Sequence, residues 1–536
     1  MRKKLLIFIL PLLILILASC KRSLVPHIYE TTIEVGNDVI TKKGILFENS
    51  SSSYFSNNSS LDTYYFNDSP IPYVSIEEYI SRIPFYDNRL IKEDNYVYIE
   101  KNNDNDKKIQ LIPDENKIIM NDYNFFNIDI KQAKRLENLY GHIKVSFIEE
   151  NVDYDNVIDL NKYNLEIKKI DDIALLPFHV INTIFASESY YYVIYLGDKY
   201  IGQTLEDEKP SEKELKEQFK VKPTKDYLEY NLNIIKFAFN EFYGLSDERQ
   251  RMVELLDSTY KADFLDKRTE NKAYFKFLSS LDDCHISNYF IEDLFTYNSN
   301  NTIESYRRKT LLNSYHITES SYISFRLKNK IIDKSYHLLD NETALIPIKE
   351  FKLNENSSPK LIQKYLEKLE KDNIKNVILD VGLNGGGDTF ALAYLLGLMT
   401  NEDVVLEFTN TKNSHVVKEV FKIDSNNDGN YNDNDAYDKF NYYILSSGYS
   451  FSCANYFISY CKDHNIAKII GQRSGGGACA IYPFVAPNGM LIQTSSINAL
   501  YNNKGDKIEF GIMPNIYLTE GTNYDVYNLL KIINEK

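Results

Sequence analysis

The chain has 536 residues, of which 43% are hydrophobic and 26% charged, so it can bury a core and is not disordered overall. Its formal net charge is −15, and because binding to a phosphate backbone requires a basic surface, this charge excludes nucleic acid as the main partner. The five cysteines form no Cys-x-x-Cys pair and show no disulfide-framework spacing, which argues against a thiolate zinc site and a disulfide-based fold.

The first twenty residues have the pattern of a lipoprotein signal peptide. Residues 2–4 are basic, and an almost continuous apolar run follows over residues 5–17. The segment then reads Leu-Ala-Ser-Cys, which resembles a lipobox, in which the cysteine is acylated and becomes the mature N-terminus. We therefore expect a signal peptide over 1–19, acylation of Cys20, and an extracytoplasmic protein anchored by lipid to a membrane of the cell envelope. An uncleaved N-terminal membrane anchor is the alternative.

The pattern after Cys20 predicts a tether and then a β-rich region. Residues 20–63 are polar and contain Ser/Asn-rich tracts, which favour a flexible tether. Residues 64–215 show short apolar runs, such as Tyr190–Leu196, separated by Asn and Asp, a pattern typical of strands. The sequence therefore predicts a separate β-rich N-terminal domain, for which a spacer or substrate-holding role is the simplest interpretation.

The periodicity changes in the second half of the chain. Helical spacing of apolar residues recurs within residues 220–330. Over residues 331–536, predicted strands such as Asn376–Val381 alternate with predicted helices such as Ser452–Asp463. This alternation favours an α/β core with largely parallel strand pairing.

Three segments of this half combine element ends with chemically useful residues. In the first, Asn384–Gly387, a strand runs into glycines that can present backbone N–H groups to an anion, and the spacing fits an oxyanion hole better than a phosphate loop. In the second, Ser452 starts a helix after a Gly/Ser turn, where it is either an exposed nucleophile or a plain N-cap. The third, Leu281–His285, places a histidine after two carboxylates, and a lone histidine of this kind is usually structural.

Together these segments resemble the tail-specific, or C-terminal processing, family of serine peptidases. The matching motifs are the Asn-Gly-Gly loop at Asn384–Gly386, the nucleophile turn at Ser450–Asn455, the glycine-rich turn at Gly471–Gly477, and the near-terminal Gly-Val/Ile-x-Pro motif at Gly511–Asn515. The resemblance covers residues 225–536. It implies a ClpP/crotonase-like α/β peptidase core with a helical N-terminal subdomain, polypeptide substrates and no required cofactor.

One position departs from the commonest pattern of this family. Many members use a Ser-Lys dyad whose lysine lies in the glycine-rich turn, but the matching residue here is Gly477. A branch similar to the tricorn core uses a histidine instead, after a Leu-x-Asp-x-His-like stretch that Leu281–His285 matches. The PDZ module usual in the family has no room between His285 and Tyr322, so peptide selection would fall to another part of the chain.

The resemblance to this histidine-using branch implies a role for each site residue. Ser452 would be the nucleophile, His285 the general base, and Glu509 the group that orients the base, directly or through a relaying group. The backbone N–H groups of Gly386 and Cys453 would form the oxyanion hole. A Cys453 thiolate is the alternative nucleophile, which we disfavour because the neighbour of a nucleophile usually donates its N–H while its side chain points away.

A further loop has the spacing of a calcium site. The segment 424–435 follows the Asp-x-Asn-x-Asp-Gly pattern of an EF-hand-like loop. Its candidate oxygen ligands for a structural Ca²⁺ are Asp424, Asn426, Asp428 and Asp435. The alternative is a polar hairpin tip whose Asn and Asp side chains only make turns.

Two other functions remain open at this point. A catalytically inactive, peptide-binding relative would keep the fold and the groove, and the missing dyad lysine together with Asn455 and Asn515 favours it. A solute-binding or adhesive surface lipoprotein would make the motifs coincidental.

Overall fold

A computed structural model describes most of the chain. The described residues are 29–49, 59–81, 88–93, 96–101, 104–121, 142–150, 156–187, 190–205, 212–245, 254, 256, 267–288, 303–331, 335–353, 358–431 and 435–535. The predicted signal peptide and Cys20 lie outside these ranges. No helix within them has the length and apolar character needed to cross a membrane.

The N-terminal half is built mainly of strands. Its elements are β1 (Glu30–Val35), β2 (Asp38–Asn49), β3 (Ser59–Phe66), β4 (Tyr73–Ser75), α1 (Ile76–Ser81), β5 (Asn88–Glu93), β6 (Tyr96–Lys101), β7 (Asp104–Ile112), β8 (Lys117–Met120), β9 (Ile143–Glu150), β10 (Asn156–Asp159), β11 (Lys168–Ile170), β12 (Ile173–Pro177), α2 (Phe178–Phe185), β13 (Tyr191–Tyr195), β14 (Lys199–Thr204) and α3 (Glu212–Gln218). One sheet has the order β11-β12-β4-β3-β2-β14-β13, with β1 paired to β2, and a second has the order β10-β8-β7-β6-β5.

Part of the predicted tether is folded. The predicted tether spans residues 20–63, but β1, β2 and the start of β3 lie within that range. In β2, Ile45 and Phe47 are both buried while the residue between them is not, which is the period of a strand with one face in a core. The Ser/Asn-rich stretch between β2 and β3 dominates the composition of this region and conceals that period.

The C-terminal half alternates between helices and strands. Its elements are α4 (Lys225–Phe242), α5 (Lys267–Ser280), β15 (Ser287–Asn288), α6 (Tyr306–Lys328), β16 (His337–Leu338), β17 (Thr343–Pro347), α7 (Ser358–Lys371), β18 (Asn376–Asp380), α8 (Thr389–Gly397), β19 (Val404–Asn410), β20 (Val416–Ile423), β21 (Asn441–Ser446), α9 (Cys453–Asp463), β22 (Ala467–Gly471), β23 (Cys479–Val485), β24 (Leu491–Leu500), β25 (Ile516–Tyr517) and α10 (Val526–Asn534).

A sheet of order β16-β17-β18-β21-β22-β25 forms the centre of this half. Every pairing from β17 to β25 is parallel, and the short β16 pairs antiparallel at one edge. All five residues of β18 are buried, as expected for a parallel strand that is covered on both faces. The predicted α/β core with parallel pairing is confirmed.

A mixed sheet joins the two halves of the chain. Its order is β15-β24-β19-β20-β9, with β23 also paired to β24. Strand β9 comes from the N-terminal half and pairs with β20 from Val416–Glu150 to Ile423–Ile143. The largest apolar cluster likewise combines N-terminal strands with α4, β23 and β24. The β-rich N-terminal region is therefore present as predicted, but it shares a sheet and a core with the second half.

Candidate active site

The candidate nucleophile lies where a central strand turns into a helix. Strand β21 ends at Ser446, and α9 begins at Cys453, directly after Ser452. The backbone of Ser452 has φ 55° and ψ −122°, a strained conformation for a residue with a Cβ that is concentrated at functional sites. Its side chain makes no capping hydrogen bond to the helix that follows. Ser452 therefore differs from a plain N-cap, and its hydroxyl is available to another group.

His285 is the group that meets this hydroxyl. Its Nε2 lies 3.3 Å from Ser452 Oγ, and its Nδ1 lies 3.1 Å from Ser495 Oγ. The ring packs on Phe451 with 4.6 Å between the ring centroids, and the residue is only 5% exposed. The structure thus brings together the predicted nucleophile and the predicted general base, although 167 residues separate them.

A buried carboxylate completes this chain of contacts. Ser495 Oγ donates to Asp283 Oδ1 at 3.0 Å, and the backbone N–H of Ser495 donates to Oδ2 at 3.1 Å. The backbone N–H of His285 also donates to Oδ1, at 2.8 Å. Nδ1 itself is 3.9 Å from Oδ1, which is too long for a direct hydrogen bond. The order of groups is therefore Asp283, Ser495, His285 and Ser452.

The network assigns a proton to each nitrogen of the ring. Because Ser495 gives its hydroxyl proton to the carboxylate, its oxygen is left to accept from Nδ1–H. Nε2 is then unprotonated and can accept from the Ser452 hydroxyl. This is the tautomer that a general base requires.

The structure places Glu509 differently from the prediction. Glu509 Oε1 accepts from Arg307 Nη1 at 2.8 Å, and Oε2 accepts from the backbone N–H of Ala478 at 2.8 Å. In the described part of the chain, Glu509 makes no hydrogen bond to His285 or Ser495. Orientation of the imidazole comes from Ser495 and Asp283 instead, because the strand pairing of β15 with β24 sets Ser495 beside the histidine segment.

The imidazole of His285 explains why a glycine stands where other members of the family have the dyad lysine. A Cβ at Gly477 would lie 3.1 Å from His285 Cε1 and 2.6 Å from Phe451 Cε2. Gly477 also has φ +85°, which disfavours any side chain. The space next to this residue is therefore filled by the histidine and by the ring that supports it.

The two predicted oxyanion donors lie on either side of Ser452. A Cβ at Gly386 would be 2.8 Å from Ser452 Cβ, so the glycine loop lies directly against the nucleophile. Among the described residues, no oxygen accepts the backbone N–H of Cys453. The N–H of Gly386 donates to Asn384 Oδ1 at 2.8 Å. One donor thus has no oxygen acceptor within the described part of the chain, and the other is held by the buried carboxamide of Asn384.

The thiol of Cys453 points away from the histidine. Its Sγ donates to the carbonyl oxygen of Gly387 at 3.0 Å. Burial raises the pKa of this thiol to about 12, so it carries its proton near neutral pH. Both observations favour Ser452 over Cys453 as the nucleophile.

The predicted calcium ligands gather in one loop after β20. Asp424 accepts the backbone N–H groups of Asp428 and Gly429 at 3.2 Å and 2.9 Å, and Asn426 Nδ2 donates to the carboxylates of Asp428 and Asp435. Residues 432–434 of this loop lie outside the described part. Within the described part, no group of three or more His, Cys, Asp and Glu side chains is arranged to hold a metal ion. The calcium site stays a prediction.

Residues 342–518 match the model of peptidase family S41. This segment of the chain belongs to peptidase family S41. The matched S41 segment contains Ser452, Gly386, Ser495 and Glu509, whereas Asp283 and His285 precede it. The matched segment is therefore similar to serine-type peptidases. No curated protein sequence matches the chain.

Several solved structures show weak similarity to this chain. The photosystem II D1 C-terminal processing protease is 17% identical, over 33% of this chain and 42% of that protein, with a TM-score of 0.28. A lipoprotein from Streptococcus agalactiae is 15% identical, over 62% of this chain and 100% of that protein, with a TM-score of 0.34. The tricorn protease is 10% identical, over 92% of this chain and 59% of that protein, with a TM-score of 0.35. This chain thus spans less than half of the first of these proteins, and none of the similarities assigns a substrate.

Proposed function

We propose that this S41 peptidase is a membrane-anchored, extracytoplasmic serine endopeptidase that cleaves polypeptides through an acyl-enzyme. The observation that carries this proposal is the 3.3 Å approach of His285 Nε2 to Ser452 Oγ. Ser495 and Asp283 support it, because they hold the imidazole in the tautomer that can take the serine proton.

In the first half of the reaction, Ser452 Oγ attacks the carbonyl carbon of the scissile peptide bond and passes its proton to His285 Nε2. Asp283 stabilises the resulting imidazolium through the Ser495 hydroxyl, as a buried carboxylate does in a catalytic triad. His285 then gives that proton to the leaving amine as the carbon–nitrogen bond breaks. The product is an ester between the acyl half of the substrate and Ser452.

In the second half, a water molecule loses a proton to His285 and attacks the ester carbonyl. The proton returns to Ser452 Oγ as the carbon–oxygen bond breaks, which releases the carboxylic acid and restores the enzyme. In both halves an oxyanion forms against the nucleophile turn. Cys453 offers its backbone N–H to that oxyanion, and Gly386 offers a second N–H when the oxyanion replaces Asn384 as the acceptor. Each such donor contributes about a hundredfold to the rate.

The proposed anchor rests on the N-terminal pattern of a basic start, an apolar run and Cys20. Acylation of Cys20 would keep the peptidase at the outer face of a membrane and give it access to extracytoplasmic polypeptides. Labelled palmitate should enter the full-length protein in a bacterial host and should be absent from Cys20→Ala. Equal labelling of both proteins would contradict the anchor without touching the catalytic proposal.

A fluorophosphonate probe tests the nucleophile. We expect the wild-type protein to become covalently labelled at Ser452 and to cleave an unfolded protein substrate such as casein. Ser452→Ala and His285→Ala should lose both activities, while Cys453→Ser should keep its label. Labelling that survives in Ser452→Ala and disappears in Cys453→Ser would make the thiol the nucleophile. A folded wild-type protein with neither activity would be an inactive, peptide-binding relative.

A further inference from the structure

We propose that Arg307 is a positioning residue for this hydrolysis, because it connects the segment that carries the base to the segment that carries the nucleophile. The inference rests on the proposed function, since it assigns Arg307 an effect on the distance between His285 and Ser452. Arg307 touches neither of these two side chains. It acts through the backbone of the segments that hold them.

On the side of the base, Arg307 lies in the first turn of α6. Its backbone N–H donates to Asp282 Oδ1 at 2.7 Å. Asp282 has φ 52° and directly precedes Asp283, the carboxylate that holds Ser495 and the backbone N–H of His285. The guanidinium of the neighbouring Arg308 donates to the carbonyl of Ile286 on the other side of the histidine. The start of α6 therefore makes hydrogen bonds to the histidine segment on both sides of His285.

On the side of the nucleophile, the guanidinium of Arg307 binds Glu509 at two points. Nη1 donates to the carboxylate Oε1 and Nη2 donates to the backbone carbonyl, both at 2.8 Å. The same carbonyl accepts the N–H of Gly477 at 3.1 Å, and the carboxylate Oε2 accepts the N–H of Ala478 at 2.8 Å. Arg307 thus fixes the residue that anchors the glycine-rich turn.

The glycine-rich turn is bonded to the backbone of the nucleophile. The carbonyl of Gly476 accepts the backbone N–H of Ser452 at 2.8 Å. A Cβ at Gly476 would lie 1.9 Å from the carbonyl oxygen of Glu509, so the two backbones are in direct contact. A displacement of Glu509 must therefore move Gly476, and with it the backbone that carries the serine hydroxyl.

Charge and burial make this connection stiff. The side chain of Glu509 is 5% exposed and that of Arg307 is 18% exposed. A carboxylate this deeply buried needs a partner of opposite charge, and a guanidinium can supply two parallel hydrogen bonds in a fixed geometry. Phe510 packs against the guanidinium at 5.0 Å from its ring centroid, which limits its movement further. A lysine would keep the charge but could not hold the carboxylate and the carbonyl in the same plane.

The expected consequence is a loss in the chemical step. A shift of about 1 Å between reacting groups can cost on the order of a hundredfold in rate. Since Arg307 does not touch the site of attack, its removal should leave substrate affinity nearly unchanged. The experiment therefore measures kcat and KM separately.

We would compare Arg307→Met and Arg307→Lys with the wild-type enzyme on a peptide that the wild type cleaves. We expect kcat to fall about a hundredfold in Arg307→Met and about tenfold in Arg307→Lys, with KM within about threefold of wild type. Arg473→Met is the matched control. Its guanidinium lies in the same glycine-rich turn, but it is exposed, and the hydrogen bond it makes to the described residues runs from Nε to Gly511 O at 3.4 Å. Its kcat should stay within about twofold of wild type.

A folded Arg307→Met enzyme with wild-type kcat would overturn the inference, and so would a rise in KM with unchanged kcat, because Arg307 would then bind substrate. If Arg307→Met fails to fold, Arg307→Lys decides: a kcat equal to wild type overturns the inference, and a partial loss supports it. A wild-type protein that cleaves nothing and takes no fluorophosphonate label would instead defeat the proposed function itself, which the Arg307 variants cannot do.

Discussion

The imidazole of His285 lies directly against Gly477: its Cε1 atom is 3.1 Å from the position that a Cβ on residue 477 would take. In the resemblance described above, residue 477 corresponds to the lysine of a Ser-Lys dyad. Here a histidine from a distant segment fills that space, and the turn residue has no side chain. The use of a histidine as the base therefore requires a glycine at residue 477.

A side chain at residue 477 should accordingly disable the enzyme. We expect Gly477→Ala to lower kcat at least about tenfold, because the added methyl group displaces the imidazole from Ser452. Gly505→Ala is the matched control, since Gly505 also has positive φ, at +77°, but has nothing within 4 Å of its Cβ position. Steady-state peptide cleavage and thermal unfolding of both variants measure the effect. A similar loss of kcat in both would attribute it to backbone strain alone.

Removal of the Ser495 hydroxyl should slow catalysis, while Ser452 and His285 both stay in the site. In Ser495→Ala, Nδ1–H loses its acceptor and Asp283 loses its link to the imidazole, so we expect kcat to fall by about tenfold to a hundredfold. Ser496→Ala is a suitable control, because the Ser496 hydroxyl accepts from Asn498 N–H and does not contact the histidine. The pH profile of kcat should change only in Ser495→Ala. Unchanged kcat in that variant would remove Ser495 from the relay.

Two carboxylates near the site can be distinguished by neutral substitutions. Asp283→Asn should lower kcat at least about tenfold more than Glu509→Gln, because only Asp283 stabilises the imidazolium through Ser495. Glu509→Gln keeps an oxygen for the N–H of Ala478 and should affect mainly the position of the turn. Steady-state kinetics of the two variants provide the comparison. The opposite order of effects would restore Glu509 as the orienting group.

Asp380 should make stability depend on pH. Burial raises its pKa from 3.8 to about 6, at the end of β18, where its Oδ1 accepts from Gly382 N–H and the Tyr524 hydroxyl. Because the folded protein then binds this proton more tightly than the unfolded chain, the free energy of unfolding should fall as pH rises from about 4 to about 6, by about 3 kcal/mol.

The Asp380→Asn variant tests this sign. The carboxamide stays neutral and keeps an oxygen acceptor, so the variant should be more stable than wild type above pH 6 and should lose most of the pH dependence. Urea unfolding at several pH values between 4 and 7.5 measures this, with the exposed Asp372→Asn as the control. A wild-type slope that persists in Asp380→Asn would assign the pH dependence to other groups.

The parts of the site that depend on local sequence could be predicted. The glycines of the 384–387 loop, the small residues before Ser452 and the apolar run of β18 are each features of a few consecutive residues, and backbone sterics and burial determine their structure directly. The strand–turn–helix around Ser452 is present where the periodicity indicated it. The α/β core followed from the same local alternation.

The partners across the fold could not be predicted in this way. Ser495 lies 210 residues from His285 and reaches it only because β15 pairs with β24 in a register that sets Ser287 opposite Gln493. Nothing in the residues around Ser495 marks it, since strand pairing depends on the whole sheet. The same reason explains why β9, an ordinary alternating strand by sequence, joins the sheet of the second half.

The sequence by itself determined the alternating elements of the second half and their parallel core, because these depend on short-range sterics and on the period of apolar residues. Ser452 and His285 became candidates through the resemblance of their motifs to a peptidase family. The tertiary structure decided which carboxylate serves the imidazole and which one holds the turn. Asp283 and Glu509 are both buried carboxylates that lie beside motifs of the site in the sequence. Their roles differ because the register of the sheets places Ser495 on Asp283, whereas Glu509 is bound by Arg307.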